Sequence, residues 1–228
     1  MTISPSDRNA AFQKALSERI LVFDGAMGTS IQALELSPAV FTNERFESHP
    51  NDLKGNNDIL SLTAPEVIAS IHQSFLEAGA DIVTTNTFNS NTISQRDYGL
   101  ESLTYELNKV SAQLARSAVD QFPGTQWVAG SLGPTNATAS LSPDIDRPEK
   151  RNVSFTDLVH AYSEAVKGLV EGGVDLLLIE TAFDTLNAKA AYYAIADYRN
   201  QSKSSIGVII SGTITDLSGR TLTGQTPE

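Results

Sequence analysis

The sequence predicts an α/β protein built on parallel strands, and three observations lead to that prediction. Short apolar runs without strict alternation recur along the chain, as in strands that are covered on both faces. Segments with the apolar spacing of helices separate these runs. Glycines that can stop a helix follow the helical segments. Strands that alternate with helices in this way indicate a parallel sheet with right-handed crossovers.

Five strands are predicted, each from a short apolar run. The most apolar of them is the fourth, with the sequence DLLLIET. A continuous apolar run of this length is typical of a strand buried on both faces. The predicted strands cover residues 19–24, 81–88, 127–133, 175–181 and 206–214.

Four helices are predicted between these strands, most of them from their starting residues. The segment Thr63 to Glu66 has the pattern of a capping box with a proline near the helix start. Apolar residues from Leu103 to Ala118 keep helical spacing in the second helix. The segment Ser154 to Asp157 opens the third helix, and Asp184 starts the fourth.

An internal repeat favours a (β/α)₈ barrel over a doubly wound open sheet. Gly79 and Gly173 each begin a Gly-x-Asp segment that leads into a strand, and seven residues later come Asn86 and Glu180. Polar residues thus recur at the carboxyl ends of strands, where barrel enzymes place their chemistry. A helix stop followed by a turn would also explain Gly-x-Asp, but not the shared polar position. No Gly-x-Gly-x-x-Gly follows the first strand, which weakens a dinucleotide-binding interpretation.

The barrel is expected to be incomplete, because only about the first five β/α units can be found. Eight units make a barrel of roughly 250 residues or more, and this chain has 228 residues. We predict an amino-terminal extension at residues 1–18 and a carboxyl-terminally truncated barrel domain at residues 19–228.

Composition disfavours several classes of function. The net charge is −11, so a nucleic-acid backbone or an anionic membrane surface would be repelled. The chain has no cysteine, which excludes disulfides, thiolate nucleophiles and cysteine-based zinc sites within it. The segment Met1 to Ala11 does not resemble a signal peptide, and no apolar run is long enough to span a membrane. We therefore expect a cytoplasmic protein with neither nucleic-acid nor membrane partners.

The candidate site residues follow the predicted strands. The glycines after Asp24 could expose N–H groups to a carboxylate or phosphate, although a tight turn is the more common cause. Glu180 ends an apolar strand, so it must pair with a substrate ammonium, act as a base or form a structural salt bridge. Thr135 lies in a loop that could be an ordinary turn, and Ser211 lies near the end of the fifth strand. The long link that contains Lys54 to Asp58 is predicted to be functional or disordered.

The histidines and other reactive groups show no catalytic pattern. The spacing of His49, His72 and His160 matches no metal-binding motif, so all three are predicted to be structural or surface groups. No nucleophile–base pair can be identified either, and the sequence therefore predicts no catalytic residue.

Six segments in order resemble the homocysteine-binding module of cobalamin-dependent methionine synthases. They are DGAMGT, DLKGNNDILSLTAPEVI, TNTFNSNT, LGPTNATASLSPD, IETAFDTLNAKAA and SGTITDLSGRTLTGQT. The resemblance implies a (β/α)₈ barrel that transfers a methyl group to the sulfur of homocysteine. It also implies that zinc deprotonates the thiol, which makes it a nucleophile. The implied donor is methylcobalamin on a separate downstream module, recharged from methyltetrahydrofolate on a folate-binding module.

The resemblance also implies roles for individual residues. Asp24 and Gly25 match the strand-one motif that contacts homocysteine, and Glu180 matches the glutamate that engages its amino group. The positions that match other site-lining residues are Asn86, Thr135 and Ser211.

The metal is where this sequence departs from the family pattern. Members bind zinc through three cysteines on strands six and eight, and this chain has none. We expect the zinc ligands beyond residue 228, no metal ligand within the chain, and an inactive fragment. Two alternatives are a non-catalytic homocysteine-binding or interaction module and a betaine-type homocysteine methyltransferase. A phosphate-binding barrel lyase or aldolase is disfavoured, since no strand offers a Schiff-base lysine.

Overall fold

The structure, a computed structural model that describes residues 5–226 and the side chains from residue 7, contains a parallel sheet. Its strand order is β1-β2-β3-β4, the order of the strands along the chain. The bounds are β1 (Ile82–Thr84), β2 (Trp127–Leu132), β3 (Leu176–Ala182) and β4 (Gly207–Gly212). In a doubly wound sheet the order of the strands reverses at one point, and in this sheet it does not. The doubly wound alternative is therefore wrong, and the predicted incomplete (β/α)₈ barrel is confirmed.

The first predicted strand, residues 19–24, forms only an isolated parallel bridge, between Phe23 and Ile82. The segment still follows the edge of β1, since Asp24 N donates to the Ile82 carbonyl over 2.8 Å. At Val22 a side chain takes the place of a strand partner, because Val22 N donates to Asp81 Oδ2 over 2.9 Å instead of to a backbone carbonyl. The prediction of a regular strand here was wrong for that reason. The predicted second and fifth strands are also shorter than expected.

Eight α-helices accompany the sheet in the described residues. Helices α4, α6, α7 and α8 contact one another in sequence, as helices on the outside of a barrel do. The bounds are α1 (Pro5–Glu18), α2 (Met27–Ala33), α3 (Leu60–Thr63), α4 (Pro65–Glu77), α5 (Thr92–Gln95), α6 (Thr104–Gln121), α7 (Phe155–Gly172) and α8 (Thr185–Ser202).

The predicted helix starts are confirmed at two of three positions. Ser154 and Asp157 form a reciprocal capping box at α7, and the Asp184 side chain caps α8. The capping box predicted from Thr63 was wrong. Thr63 belongs to α3, and its hydroxyl donates to the Ile59 carbonyl over 3.4 Å. Because the Thr63 hydroxyl is bonded to the preceding turn of α3, it does not cap the start of α4.

The sheet separates two apolar layers by the alternation of its side chains. Val83, Val128 and Leu177 point outward into the cluster formed with the long helices. Ile82, Trp127, Ala129, Leu176 and Leu178 form the inner cluster, which Phe12 of α1 completes. The part of the predicted extension that the structure describes, helix α1, therefore packs against the inner face of the sheet through Phe12. The limit of the extension at residue 18 stays a prediction.

The Gly-x-Asp repeat has a structural role at both places. Gly79 and Gly173 adopt φ of 100° and 99°, the left-handed conformation that ends a helix. Asp81 Oδ2 accepts Val22 N over 2.9 Å, and Asp175 Oδ2 accepts Val128 N over 2.8 Å. Each aspartate thus binds the segment that precedes its own strand in the sheet. The helix-stop interpretation of Gly-x-Asp is correct. It does not explain the polar residues seven positions later, Asn86 and Glu180, which belong to the site described below.

Within residues 5–226, no helix combines the length and the apolar character that crossing a membrane requires.

Candidate functional site

A cavity of about 350 Å³ lies at the carboxyl ends of β1, β2 and β3. This is the end of the sheet at which barrel enzymes bind substrates. The loop into α2, the turn at Asn57 and the loop after β1 form its walls. The lining residues are Gly25, Ala26, Met27, Gly28, Thr29, Gln32, Asn57, Asp58, Thr84, Thr85, Asn86, Thr87, Phe88, Asn89, Ser131 and Glu180.

Asp24 lies next to this cavity and is held by β1. Its carboxylate accepts Thr84 N over 2.8 Å and Thr84 Oγ1 over 2.9 Å. Burial raises the pKa of Asp24 to about 6; the negative charge of Glu180 adds to this rise, and the bonds from Thr84 oppose it. The free site therefore gains a proton near pH 6.

Glu180 reaches the cavity from a bulge in β3. Ile179 pairs with Ile210 and Ala182 with Gly212, so that Glu180 and Thr181 lie opposite one residue of β4. Bulges of this kind redirect a side chain, and they are frequent next to active sites. Ser131 Oγ of the neighbouring strand donates to Glu180 Oε2 over 2.6 Å. This bond fixes the carboxylate at the cavity wall.

The backbone is strained immediately after Glu180. Thr181 has a φ of 56°, a left-handed conformation that is unfavourable for a β-branched residue. Such strain persists only where the surrounding structure imposes it, and it is concentrated at functional sites.

Asn86 connects the cavity wall to the α3 region. Its Nδ2 donates to the Asn57 carbonyl over 2.9 Å and to Ser61 Oγ over 3.3 Å. Ser111 Oγ of α6 donates to the same Ser61 hydroxyl over 2.7 Å. The amide of Asn86 thus holds the long link against the end of β1.

Asp58 is a cavity residue that the sequence analysis did not select individually. It is 2% exposed, and its Oδ2 accepts Asn89 N over 2.8 Å and Ser90 Oγ over 2.7 Å. Burial raises the pKa of Asp58 to about 6. Its position in an unusually long link was the only available signal. Thr84 and Ser131 were also missed, because hydroxyl residues near strand ends are common.

The charges at the cavity have one sign. Asp58 and Glu180 line it and Asp24 adjoins it, whereas no lysine or arginine occurs among the described lining residues. Buried carboxylates without a cationic partner are costly. The site therefore favours a ligand that carries a positive charge, such as an ammonium group.

Gly25 allows the chain to turn closely past helix α4. A Cβ built on this residue would lie 2.7 Å from a ring carbon of Phe75. A side chain here would displace Phe75 or the loop that lines the cavity.

The structure does not bring Thr135 and Ser211 to the cavity wall. Thr135 is 3% exposed, and its hydroxyl donates to the Ala137 carbonyl over 2.5 Å. Ser211 lies opposite the bulge on β4 and is exposed. Among the predicted site residues, Gly25, Asn86 and Glu180 line one cavity and Asp24 adjoins it.

A homocysteine S-methyltransferase family model matches residues 21–228 of this chain. The chain belongs to the homocysteine S-methyltransferase family. The match covers the first predicted strand from residue 21 onward, the other four predicted strands and every cavity residue named above.

Solved structures of another protein show the fold of this family. The homocysteine methyltransferase MmuM of Escherichia coli in its oxidized form has a TM-score of 0.70 and 23% identity, covering 98% of this chain and 70% of that one. Its metallated form has a TM-score of 0.69 and 24% identity, covering 98% and 71%. Its apo form has a TM-score of 0.62 and 23% identity, covering 92% and 66%. At this identity the likeness concerns the fold.

The residues of this homocysteine S-methyltransferase chain do not fit the zinc that the sequence resemblance implies. The chain contains no cysteine. Across residues 5–226, no group of three or more histidine, cysteine, aspartate or glutamate side chains could hold a metal ion. His49 Nε2 contacts the Tyr98 carbonyl at 2.7 Å, His72 is fully buried, and His160 is exposed.

Proposed function

We propose that this chain binds homocysteine for the methionine synthase reaction, in which homocysteine accepts a methyl group carried by cobalamin. The acidic cavity at the strand ends is the observation that carries the proposal. Glu180 would bind the ammonium group, with Asp24 supplying further negative charge. The family membership supports homocysteine as the substrate, and the six segments quoted above support the cobalamin-dependent branch.

The zinc ligands, in this proposal, come from polypeptide outside the present sequence, and so do the folate- and cobalamin-binding modules. The role of this chain's residues is to bind and orient the amino acid. A chain without the ligands would bind homocysteine without methylating it. The lack of cysteine favours that non-catalytic activity for the 228 residues by themselves.

Calorimetric titration of the chain with reduced homocysteine tests the proposal. We expect binding that depends on the ammonium group, so that N-acetylhomocysteine binds at least about tenfold more weakly, because an ion pair with a carboxylate is lost. Equal binding of the two ligands, or no binding of homocysteine, would refute the proposed role of the acidic cavity.

Substitution of Glu180 tests whether this residue binds the ammonium group of homocysteine. Glu180→Gln is expected to weaken homocysteine binding about tenfold, because it removes a charge-assisted hydrogen bond and leaves a neutral one. Glu164→Gln is the matched control, since Glu164 lies on the exposed side of α7. Binding that is unchanged in Glu180→Gln would assign the ammonium to another residue.

The affinity for homocysteine is expected to depend on pH through Asp24. Its carboxyl has a pKa of about 6 in the free site, so it is charged at pH 7.5 and largely protonated at pH 5. A bound ammonium favours the charged form, and the affinity should therefore fall up to about tenfold between pH 7.5 and pH 5. Titrations at the two pH values measure this change. In Asp24→Asn the dependence should shrink to the part that Asp58 contributes, because the pKa of this lining residue is also raised to about 6. A dependence of unchanged size would exclude Asp24 as a source.

A further inference from the structure

A buried polar cluster lies behind the wall of the homocysteine cavity. Its members are Thr135, Tyr162, Asp184 and Asn187, with exposures of 3%, 2%, 1% and 3%. Asp184 and Asn187 also line a second, very small cavity of about 10 Å³. Glu180 lines both cavities, so the cluster adjoins the residue that is proposed to bind the substrate.

The hydrogen bonds of the cluster fix the orientation of the Asn187 amide. Thr135 Oγ1 donates its only proton to the Ala137 carbonyl, over 2.5 Å. It must therefore accept from Asn187, whose Nδ2 lies 2.6 Å away. This assignment leaves Asn187 Oδ1 buried with no hydrogen-bond donor in the part of the chain that the structure describes.

Asp184 has a second buried acceptor of the same kind. Its Oδ1 accepts Leu186 N over 2.8 Å and Ser140 Oγ over 2.7 Å. Its Oδ2 is buried and meets no donor among residues 5–226. A buried acceptor without a donor is unfavourable by roughly 1 to 3 kcal/mol. Both acceptors belong to residues that line the same small cavity, so one donor placed there could satisfy both.

The small cavity has the size and the chemistry of a water site. A volume of about 10 Å³ is close to the minimum of roughly 10–15 Å³ that one water molecule needs. One water carries two protons, which matches the two buried acceptors. A metal cation would require more oxygen ligands than these two.

The cluster also lies at the carboxyl side of the strained segment after Glu180. Ser131 holds Glu180 on one side of the strained Thr181. Asp184 follows three residues after Thr181 and is fixed at the start of α8. The bulge that directs Glu180 into the cavity is therefore held from both ends, as a strained residue requires.

We propose that Asp184 and Asn187 bind one buried water molecule behind Glu180, and that both are positioning residues for the Glu180 carboxylate. The second part rests on the proposed function, because it requires Glu180 to bind the substrate. The first part concerns the free protein alone.

A crystal structure at about 1.5 Å or better tests the water site on the wild-type chain. We expect one electron-density peak at hydrogen-bonding distance from Asp184 Oδ2 and Asn187 Oδ1, about 2.7–3.0 Å from each. A second crystal grown in a rubidium salt should show no anomalous signal there. Absence of the peak, or an anomalous signal that identifies a monovalent cation, would overturn the water site.

A double-mutant cycle tests the positioning role. Asn187→Leu is expected to weaken homocysteine binding about fivefold to tenfold in the wild-type background, and less than about twofold in the Glu180→Gln background. A purely structural effect would weaken binding equally in both. Asn187→Ala replaces the leucine variant in the cycle if the latter does not fold.

Thr104→Val is the control for the loss of a buried polar group away from the cavity. Thr104 is 1% exposed and donates to the Glu101 carbonyl over 2.9 Å. It should leave homocysteine affinity within about twofold in both backgrounds. Equal losses for Asn187→Leu in the two backgrounds would overturn the positioning role. If wild-type chain binds no homocysteine, the proposed function and the positioning role both fail, and the crystallographic result alone decides the water site.

Discussion

A Gly133→Ala variant is expected to lose about 3 kcal/mol of its free energy of unfolding, because the added methyl group has no room beside a neighbouring backbone segment. A Cβ on Gly133 would lie 2.1 Å from the Phe88 carbonyl oxygen. That partner is backbone, which cannot rotate away as a side chain can. For a chain of this size the melting temperature should fall by roughly 6–12 °C. Thermal and urea unfolding followed by circular dichroism measure the change.

Gly212→Ala is the matched control for this substitution. A Cβ on Gly212 meets no atom within 4 Å, and the residue lies in β4. Its stability should change by less than about 0.5 kcal/mol. Because Phe88 lines the cavity proposed to bind homocysteine, Gly133→Ala should also weaken homocysteine binding. A Gly133→Ala variant as stable as Gly212→Ala would show that the segments around Gly133 and Phe88 can move apart with no loss in the free energy of unfolding.

The helices and central strands could be predicted because local patterns and burial agree there. The apolar run that became β3 is buried over its first four residues, and the Ser154 capping box starts α7 as predicted. The first strand could not be predicted correctly from its apolar run. Its pairing depends on Asp81, a side chain some sixty residues away that takes a bond from Val22.

The candidate site could be predicted only where strand ends identify it. Glu180 and Asn86 follow apolar strands, and both line the cavity. Asp58 comes from the long link, whose path depends on tertiary packing that no local pattern encodes. Similarly, the bulge at Thr181 has no sequence signal, because a β-branched residue is not expected at positive φ.

The stability of the chain in acid should depend strongly on His72. This residue is 0% exposed, and neither ring nitrogen meets a hydrogen-bond partner within residues 5–226. Burial lowers the pKa of His72 from 6.5 to about 4. Below pH 6.5 the unfolded chain therefore binds a proton that the folded chain does not. The contribution of a neutral His72 is fully present above pH 6.5 and is lost as the pH falls towards 4.

A His72→Leu variant isolates this contribution from those of other groups. Asp24 and Asp58 have raised pKa values of about 6, so protonation stabilises the folded chain as the pH falls from 6 towards 3.8. Their effect opposes that of His72 and is the same in both proteins. The free energy of unfolding of the wild type minus that of His72→Leu should therefore fall by about 2 kcal/mol between pH 7 and pH 4.5.

Urea unfolding of both proteins at the two pH values measures this difference. At pH 7 the leucine variant should be at least as stable as the wild type, because two buried nitrogens without partners are replaced by apolar atoms. His160→Leu, at an exposed position on α7, is the control and should leave the pH dependence unchanged. A constant difference between wild type and His72→Leu from pH 7 to pH 4.5 would mean that His72 takes up its proton in the folded chain as readily as in the unfolded one. In that case the ring must reach water or an acceptor, and α4 would have to open at this residue below pH 6.5.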